Sequence, residues 1–431
     1  MKTMITNSTE LSTYSQNYKT LSNLEQEHGS SFYLLDIDRL QMNYKKMETA
    51  FKSRYEKFII GYSYKTNYIP YLCKELDKLG AYAEVVSKLE YDLALKIGVV
   101  PTKIIFNGPL KTKYDIETAL NMGSILNIDS TYEMKYVKEH CLQNPDTSFK
   151  VGFRVNFDIS TNGVSPLVEG FEKSRFGMCV ENGSFQLVWK QLKELPNLKI
   201  TGLHGHFSTA NRSVSTFEKI TQSLCDIVKE YKLTDLEYID IGGGIFGEVP
   251  RSLISNTPTF DDYGEAVCKI MNKEFGDKKE KPYLILEPGI SMVANTFQFV
   301  AKVVETKNIR NETFVLVDGS VHNIKPTMHK KNLPMRVIRS SVDDGSNRSD
   351  TYHIVGYTCL EKDYLACDVK SQMPLIGDFI IFENVGAYTL VFNPPFIKER
   401  PAVVAFYDGK TTIARKKESF KEFFNDKLYQ F

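Results

Sequence analysis

Short apolar runs alternate with longer amphipathic stretches between residues 32 and 300. The run 58–62 is almost wholly apolar, whereas 39–55 carries charges at helical spacing. Short apolar strands separated by helices are typical of parallel β-strands joined by crossover helices. The predicted strands of this region are 32–35, 58–62, 81–86, 103–106, 125–128, 150–155, 200–203, 236–241 and 284–286. About eight such units predict an α/β fold with a (β/α)8 barrel, and a doubly wound open sheet is the alternative.

The pattern changes near residue 300, where helical spacing becomes sparse and strand-like segments follow one another. These segments are 297–304, 313–317, 335–338, 351–355, 378–382 and 402–406, and a helix is predicted at 420–428. A run of strands after a strand–helix series indicates a separate β-rich domain. We therefore predict a barrel over 36–298 and a C-terminal β-rich domain formed by 1–35 with 299–431.

Composition and charge exclude several classes of protein. The net charge is +1 and there is no long basic block, so neither nucleic acid nor an anionic membrane surface is an expected partner. No apolar run approaches the roughly 20 residues of a membrane span, and the polar start of the chain lacks a signal-peptide core. Seven scattered cysteines without a CxxC pair favour reduced thiols and a cytoplasmic location.

Lys65 is the first candidate for chemistry, because it follows the apolar run 58–62. Active sites of (β/α)8 barrels lie at the carboxyl ends of the strands. A lysine held there with little water loses part of its preference for the charged form, and its amine becomes a nucleophile. Such lysines form Schiff bases with carbonyl cofactors, above all pyridoxal phosphate. The alternative is a solvated structural lysine.

Other polar residues and glycines follow predicted strands in the same way. They are Glu84, Asn107, Arg154, His204, His206, Asp240, Gly242, Gly243, Gly244, Glu287 and Gly289. The glycine run is either a tight turn or a backbone that approaches a phosphate closely. Glu287 is either a turn carboxylate or the partner of a pyridine nitrogen. His206 has no third metal ligand near it in sequence, so we expect no metal, and a ring stacked on a cofactor fits equally well.

Two residues of the β-rich part have plain structural interpretations. Cys359, as a lone thiol, is interpreted as a buried small hydrophobic residue. Tyr388 is interpreted as a tyrosine packed in a strand.

A series of motifs resembles one known family. The motifs are YSYKTN (62–67), SRFG (174–177), LHGHFST (203–209), DIGGG (240–244), EPG (287–289), VDG (317–319), CLEKD (359–363) and GAY (386–388). In this order they resemble the fold-type III pyridoxal-phosphate-dependent decarboxylases, the group of diaminopimelate, ornithine and arginine decarboxylases with an alanine-racemase-like barrel. The resemblance covers about residues 29–407.

The resemblance implies a pyridoxal phosphate site in the barrel. Lys65 would carry the cofactor as a Schiff base, His206 would stack on its ring, and Glu287 would pair with the pyridine nitrogen. Glu84 and Arg154 would surround the lysine and the ring. The residues expected at the phosphate are Thr209, Gly243, Gly244, Gly289 and Tyr388.

The resemblance also implies a homodimer with shared active sites. Cys359 would come from the other subunit and protonate Cα after the α-carboxylate of an amino acid has left. The expected activity is therefore that of an amino-acid decarboxylase.

Departures from the family pattern bear on the substrate. Ile290 follows EPG where the family usually has arginine, and Leu360 follows Cys359 where the family has an acid. That acid normally grips the far amino group of the substrate, and burying an ammonium against leucine costs several kcal/mol. Lys325 and His329 suit a neutral or anionic far end.

Our main hypothesis is therefore a conjugated amino acid from specialised, siderophore-like or antibiotic-like, biosynthesis, with amino-acid or polyamine biosynthesis as the broader setting. Glu361 takes the place of the acid if the loop is shifted by one residue. The alternatives are a diaminopimelate decarboxylase of lysine biosynthesis, a pyridoxal-phosphate-dependent racemase or epimerase, and a regulator derived from a decarboxylase.

Overall fold

The computed structural model describes residues 17–340, 349–425 and 427–429. The chain divides into two units. The barrel unit comprises Gln41–Val249 and Ile254–Met292, and the β unit comprises the described residues of Met1–Leu40, Pro250–Leu253 and Val293–Phe431. The polar start of the chain, where no signal peptide is expected, lies outside the described residues up to position 16. None of the described helices is long and apolar enough to cross a membrane.

The described secondary structure follows the predicted alternation. The strands are β1 (Phe32–Asp36), β2 (Phe58–Ser63), β3 (Tyr82–Val85), β4 (Ile104–Phe106), β5 (Ile125–Ile128), β6 (Phe149–Asn156), β7 (Met178–Cys179), β8 (Leu198–His204), β9 (Tyr238–Asp240), β10 (Tyr283–Leu286), β11 (Phe297–Ile309), β12 (Glu312–Val317), β13 (Met335–Ile338), β14 (Ser349–Val355), β15 (Tyr364–Gln372), β16 (Phe379–Glu383), β17 (Ala402–Tyr407) and β18 (Lys410–Arg415). The helices are α1 (Tyr18–His28), α2 (Ile37–Lys52), α3 (Pro70–Leu79), α4 (Lys88–Lys96), α5 (Lys113–Met122), α6 (Thr131–Gln143), α7 (Ser184–Lys193), α8 (Val214–Glu230), α9 (Phe260–Phe275), α10 (Ile290–Val293), α11 (Val321–Ile324) and α12 (Phe420–Phe423). Short 3-10 helices occur at Tyr64–Thr66, Pro101–Lys103 and Ala294–Thr296.

Within the described residues, eight parallel strands close into a barrel. Their order is β2, β3, β4, β5, β6, β8, β9 and β10, and β10 pairs back onto β2 through Leu286 and Ile60. The two-residue strand β7 pairs with β6 outside this ring. The predicted (β/α)8 barrel is confirmed, and the open-sheet alternative is wrong because β10 and β2 share backbone hydrogen bonds.

The barrel elements form where the sequence pattern favours them. The strands β2 and β8 are buried along almost their whole length, as expected of parallel strands covered on both faces. The helix α5 begins at a capping box, in which Thr112 and Asp115 satisfy each other's backbone N–H groups. It ends at Gly123, whose left-handed backbone conformation costs glycine no Cβ clash. These short, capped helices return the chain to the start of each next strand.

The β unit is built on a mixed sheet. The order of its main path is β15, β14, β12, β11, β1, β17 and β18, and β16 pairs with both β11 and β13. The strand β1 pairs with β11 and β17 in this sheet and takes no part in the barrel. The buried core of this sheet is formed by Leu21, Leu24, Phe32, Leu34, Val300, Phe379, Ile381, Ala402, Val404 and Phe406.

Two features of the β unit differ from the prediction. The strands β15 and β18 were not predicted, because both contain charged and half-exposed positions that weaken the apolar signal. The helix predicted at 420–428 is wrong beyond Phe423. Its C-cap residue, Phe424, has an extended backbone that ends the helix after one turn.

Candidate active site

The carboxyl ends of the barrel strands hold the candidate residues of the barrel unit. Lys65 lies in the 3-10 helix that directly follows β2, and Glu84 lies in β3. His206 follows β8, and Glu287 follows β10. Parallel strands in a barrel bring their carboxyl ends to one rim, so residues far apart in sequence become neighbours. The predicted residues gathered in this unit are Lys65, Glu84, Arg154, His206, Thr209, Gly243, Gly244, Glu287 and Gly289.

Lys65 is paired with a buried carboxylate. Its Nζ lies 2.5 Å from Glu84 Oε2, and the same oxygen accepts a hydrogen bond of 2.6 Å from Ser63 Oγ. The Glu84 side chain is 1% exposed, whereas that of Lys65 is 34% exposed. Lys65 is therefore less desolvated than the sequence argument assumed. Its amine is held by a specific acid, which can take or return a proton at Nζ.

Glu287 is an anion in a buried polar cluster. Its Oε1 accepts a hydrogen bond of 2.5 Å from Asn107 Nδ2, and its Oε2 lies 3.4 Å from His204 Nε2. Burial by itself raises the pKa of Glu287, but His204, Lys65 and Asp240 together outweigh burial and lower that pKa below its ordinary value. A buried carboxylate that stays ionised is the group needed to keep a pyridine nitrogen protonated.

Asp240 is the buried acid beside Glu287. Burial and then the negative charge of Glu287 raise the pKa of Asp240 well above its usual range. Its Oδ1 accepts a hydrogen bond of 2.9 Å from the Gly242 N–H. Its buried Oδ2 finds no hydrogen-bond donor among the described residues. An unpartnered carboxylate oxygen is costly to bury, so burial favours the protonated form of Asp240.

The His206 ring has a fixed orientation. Burial first, and then Arg154, lower the pKa of His206 well below its ordinary value. Its Nδ1 accepts a hydrogen bond of 2.9 Å from the Gly243 N–H. Arg154 donates to the His206 carbonyl oxygen at 3.1 Å and pairs with Asp129 at 3.1 Å. A flat imidazole fixed at Nδ1, on a backbone held by Arg154, suits stacking on a cofactor ring.

Three of the predicted glycines leave no room for a side chain. A Cβ on Gly242 would lie 2.4 Å from His206 Nδ1, and one on Gly243 would lie 2.0 Å from the Glu287 carbonyl oxygen. A Cβ on Gly289 would lie 2.1 Å from Thr66 Oγ1. That buried hydroxyl oxygen has no hydrogen-bond partner among the described residues. These glycines are therefore packed closely against protein atoms, whereas a Cβ on Gly244 would meet only Phe217, at 3.9 Å, so open space lies beside Gly244.

The same cluster contains a set of donors suited to a metal ion. One donor atom each of His204, His206 and Glu287 lies within 4.8 Å of the others. No third ligand lies near His206 in sequence, whereas the fold brings Glu287 close to it. His206 Nδ1 is already bonded to the Gly243 N–H, and the absence of a metal stays a prediction.

The remaining predicted residues belong to the β unit. Cys359 is exposed, so its interpretation as a buried small hydrophobic residue is wrong. Leu360 is 37% exposed, and Glu361 is exposed in the same turn. The buried carboxylate of Asp363 fixes this turn by accepting hydrogen bonds from the N–H and the hydroxyl of Thr358.

The surroundings of Tyr388, Lys325 and His329 differ from what the sequence predicted. Tyr388 lies in a bend with φ of 55°, stacked on Phe392, and is not part of a strand. Lys325 is buried, and burial lowers its pKa. Burial and then Lys325 lower the pKa of His329. Lys325 is thus a buried base, whereas His329 is exposed.

Sequence reasoning missed several members of the buried network. Asn127 and Tyr238 lie inside the barrel and are joined by a hydrogen bond of 2.6 Å across 111 residues of sequence. Lys111 and Glu133 form a fully buried ion pair of 3.1 Å. The available signal was a polar residue inside an otherwise apolar strand, as at Asn127 in β5.

Comparisons with known proteins point to one family. The model of the pyridoxal binding domain of pyridoxal-dependent decarboxylases matches residues 38–294. The diaminopimelate decarboxylase of Methanocaldococcus jannaschii is 28% identical over 408 residues, which are 93% of this chain and 91% of the relative. That of Helicobacter pylori (strain J99) is 27% identical over 405 residues, which are 93% of this chain and 96% of the relative.

Solved structures give the same result. The crystal structure of the M. jannaschii diaminopimelate decarboxylase with L-lysine has a TM-score of 0.82 and 28% identity, covering 92% of each chain. The lysine/ornithine decarboxylase of Vibrio vulnificus with putrescine has a TM-score of 0.72 at 20% identity, covering 90% of this chain and 98% of the other. The second match supports the fold alone.

Proposed function

The chain belongs to the pyridoxal-dependent decarboxylase family, and from this premise we propose that its substrate is diaminopimelate. The protein is a pyridoxal-phosphate-dependent carboxy-lyase that acts on an amino acid. The observation that supports this activity best is the pairing of Lys65 with buried Glu84 beside the anionic Glu287. Relatives named diaminopimelate decarboxylase match 93% of the chain. The comparisons do not support the conjugated substrate that was our main hypothesis.

The barrel unit offers groups that fit pyridoxal phosphate. The Lys65 amine can bond to the carbonyl of the cofactor, and the Glu287 carboxylate can face the pyridine nitrogen. The glycine turns beside the unpartnered Thr66 hydroxyl can accept the phosphate. When bound, the cofactor supplies an electron sink for the pair left at Cα when carbon dioxide departs.

We assign roles to the residues of the chain on this basis. Lys65 binds the cofactor, and Glu84 exchanges a proton with its Nζ. His206 stacks on the ring, while Arg154 holds the His206 backbone through its carbonyl oxygen. The proposed phosphate ligands are Thr209, Gly243, Gly244, Gly289 and Tyr388.

We extend the proposal to the second unit and to a partner subunit. Residues 36–298 form the pyridoxal-binding domain, and 1–35 with 299–431 complete the site in a homodimer. Cys359 of one subunit protonates Cα in the site of the other. Its exposure within the β unit is compatible with that role.

The departures in sequence are compatible with diaminopimelate. The far end of this substrate carries both a carboxylate and an ammonium group. Lys325 and His329 suit the carboxylate, and Glu361 suits the ammonium in place of the acid replaced by Leu360. A far end of mixed charge thus fits the residues better than the purely cationic far end of ornithine.

Substrate panels test this proposal directly. Purified protein loaded with pyridoxal phosphate is incubated separately with meso-diaminopimelate, ornithine, lysine and arginine, and carbon dioxide release is followed. Release from diaminopimelate with lysine as the product is the expected result, and Lys65→Ala serves as the inactive control. Carbon dioxide release from ornithine alone would overturn diaminopimelate as the substrate. Inversion at Cα without carbon dioxide would favour a racemase.

A further inference from the structure

One amide inside the barrel bridges the two carboxylates of the candidate site. Asn107 Nδ2 donates to Glu84 Oε1 at 3.1 Å and to Glu287 Oε1 at 2.5 Å. The Asn107 amide therefore donates both of its N–H groups, one to Glu84 beside Lys65 and one to Glu287. Hydrogen bonds to charged acceptors are stronger than neutral ones, so the bridge holds both carboxylates firmly.

The orientation of that amide is determined by two further residues. Asn127 Nδ2 donates to Asn107 Oδ1 at 2.8 Å, and the Tyr238 hydroxyl donates to Asn127 Oδ1 at 2.6 Å. Burial raises the pKa of Tyr238 well above its ordinary value, so its hydroxyl stays protonated as a donor. Each amide must then turn its oxygen toward Tyr238 and its nitrogen toward the carboxylates. A reversed Asn107 would place its oxygen against two anions.

The barrel keeps space open for this chain of hydrogen bonds. A Cβ on Gly152 would lie 1.9 Å from Tyr238 Oη and 2.4 Å from Asn127 Oδ1. A Cβ on Gly202 would lie 2.0 Å from Tyr238 Cζ. Neither glycine has a positive φ, so space and not backbone conformation explains them. In register, Asn127 pairs with Gly152, Gly152 with Gly202, and Gly202 with Tyr238.

We infer that Asn107, Asn127 and Tyr238 are positioning residues that hold Glu84 and Glu287 in the orientation required to bind pyridoxal phosphate. The inference rests on the proposed function of this site. The three residues act through the carboxylates: Glu84 is held against Lys65, and Glu287 is held as an anion facing the cofactor ring. The direction of this chain of hydrogen bonds is set by Tyr238. Tyr238 lies in none of the family motifs, so motif matching alone does not find it.

Two nearly isosteric substitutions test this chain of hydrogen bonds. Asn107→Asp replaces the bridging donor with a third carboxylate, and Tyr238→Phe removes only the hydroxyl that sets the direction. Tyr82→Phe is the matched control, since Tyr82 is another barrel tyrosine that lies outside the chain of hydrogen bonds. The measurements are the equilibrium affinity of cofactor-free protein for pyridoxal phosphate, the absorbance maximum of the bound cofactor, and the thermal midpoint without cofactor.

The expected effects differ in size. Asn107→Asp should weaken cofactor binding by about a hundredfold, because two charge-assisted hydrogen bonds are replaced by repulsion. Tyr238→Phe should weaken binding about fivefold and shift the absorbance maximum, because both amides become free to reverse. Tyr82→Phe should leave affinity and absorbance unchanged. In an Asn107→Leu background, Tyr238→Phe should weaken cofactor binding by less than about twofold. Tyr238 acts through Asn107, so the effects of the two substitutions are not additive.

The outcomes separate this inference from the proposed function. If wild type binds the cofactor through Lys65 but Tyr238→Phe keeps wild-type affinity and absorbance, the positioning chain is overturned alone. The same holds if Tyr82→Phe is impaired as much as Tyr238→Phe. If wild type shows no absorbance that depends on Lys65, the proposed function fails as well. Tyr238→Phe still decides the question if Asn107→Asp does not fold.

Discussion

The two ends of the barrel use polar residues in opposite ways. At the carboxyl ends of the strands, Glu84 and Glu287 are buried and joined through Asn107. At the amino ends, Lys150 and Glu237 form an ion pair of 2.6 Å, with 57% and 49% of their side chains exposed. The same strands thus carry strong interactions in a low dielectric at one end and weak, screened ones at the other.

The amino end also contains a cavity. A cavity of about 520 Å³ there is lined by Tyr82, Tyr238 and Tyr283 together with Ile59 and Ile285. Lys57 lies over the Tyr283 ring at 5.2 Å from its centroid. The charges of the Lys150–Glu237 pair at this end are exposed, so removing one of them should have little effect.

The largest effect is expected from Glu287→Gln. A neutral amide can still hydrogen-bond to Asn107 but cannot keep a pyridine nitrogen protonated, so kcat should fall about a thousandfold. Decarboxylation kinetics at saturating substrate measure the change. The matched control is Glu237→Gln at the amino end, which should retain full activity. Equal losses in both variants would contradict the contrast between the two ends.

The next effect concerns a buried acid near the carboxyl end, Glu90, whose Oε2 accepts a hydrogen bond of 2.8 Å from the Val86 N–H. Burial raises the pKa of Glu90 from 4.5 to about 7. Because the folded pKa is the higher one, the stabilisation is complete below pH 4.5 and is lost as pH rises through about 7.

Glu90→Gln removes this pH dependence. Relative to the variant, wild type should lose about 3 kcal/mol of unfolding free energy between pH 4.5 and pH 8, since one pKa unit corresponds to about 1.4 kcal/mol. Urea unfolding of both proteins across this range measures the difference. A difference that does not change with pH would show that Glu90 titrates normally.

A smaller effect on stability is expected at Gly202, which lies in the middle of β8 between the two ends of the barrel. Gly202→Ala places a Cβ against the Tyr238 ring and should destabilise the barrel by about 2 kcal/mol, as overpacking does. Denaturant unfolding gives the value. In a Tyr238→Ala background the same change should cost much less, because the ring is gone. An undiminished cost would mean that Tyr238 is not the obstacle.

The smallest effect is expected at the exposed ion pair of the amino end. Lys150→Ala should change the unfolding free energy by less than about 0.5 kcal/mol. Chemical denaturation at low and high salt measures it. A loss several times larger would remove the distinction between the two ends.

The fold was largely predictable from sequence, because parallel strands such as β2 leave a continuous apolar run between helices. The strand β15 was missed, since its mixed polar positions carry no such signal. At the site, the glycine turns and Lys65 stand in motifs and were found. The role of Tyr238 was not, because the sequence shows a polar residue in β9 without showing that its partner lies in β5.

The glycines beside Tyr238 have a consequence for how the barrel assembles. Gly152 and Gly202 belong to β6 and β8, whereas the ring that occupies their space arrives later in the chain, on β9. A partly formed barrel that lacks β9 therefore has a void as wide as a phenol ring at its centre. Protein interiors gain little from packing that is incomplete. The packing of β6 and β8 at these two glycines is therefore completed only when β9 brings the Tyr238 ring into the space.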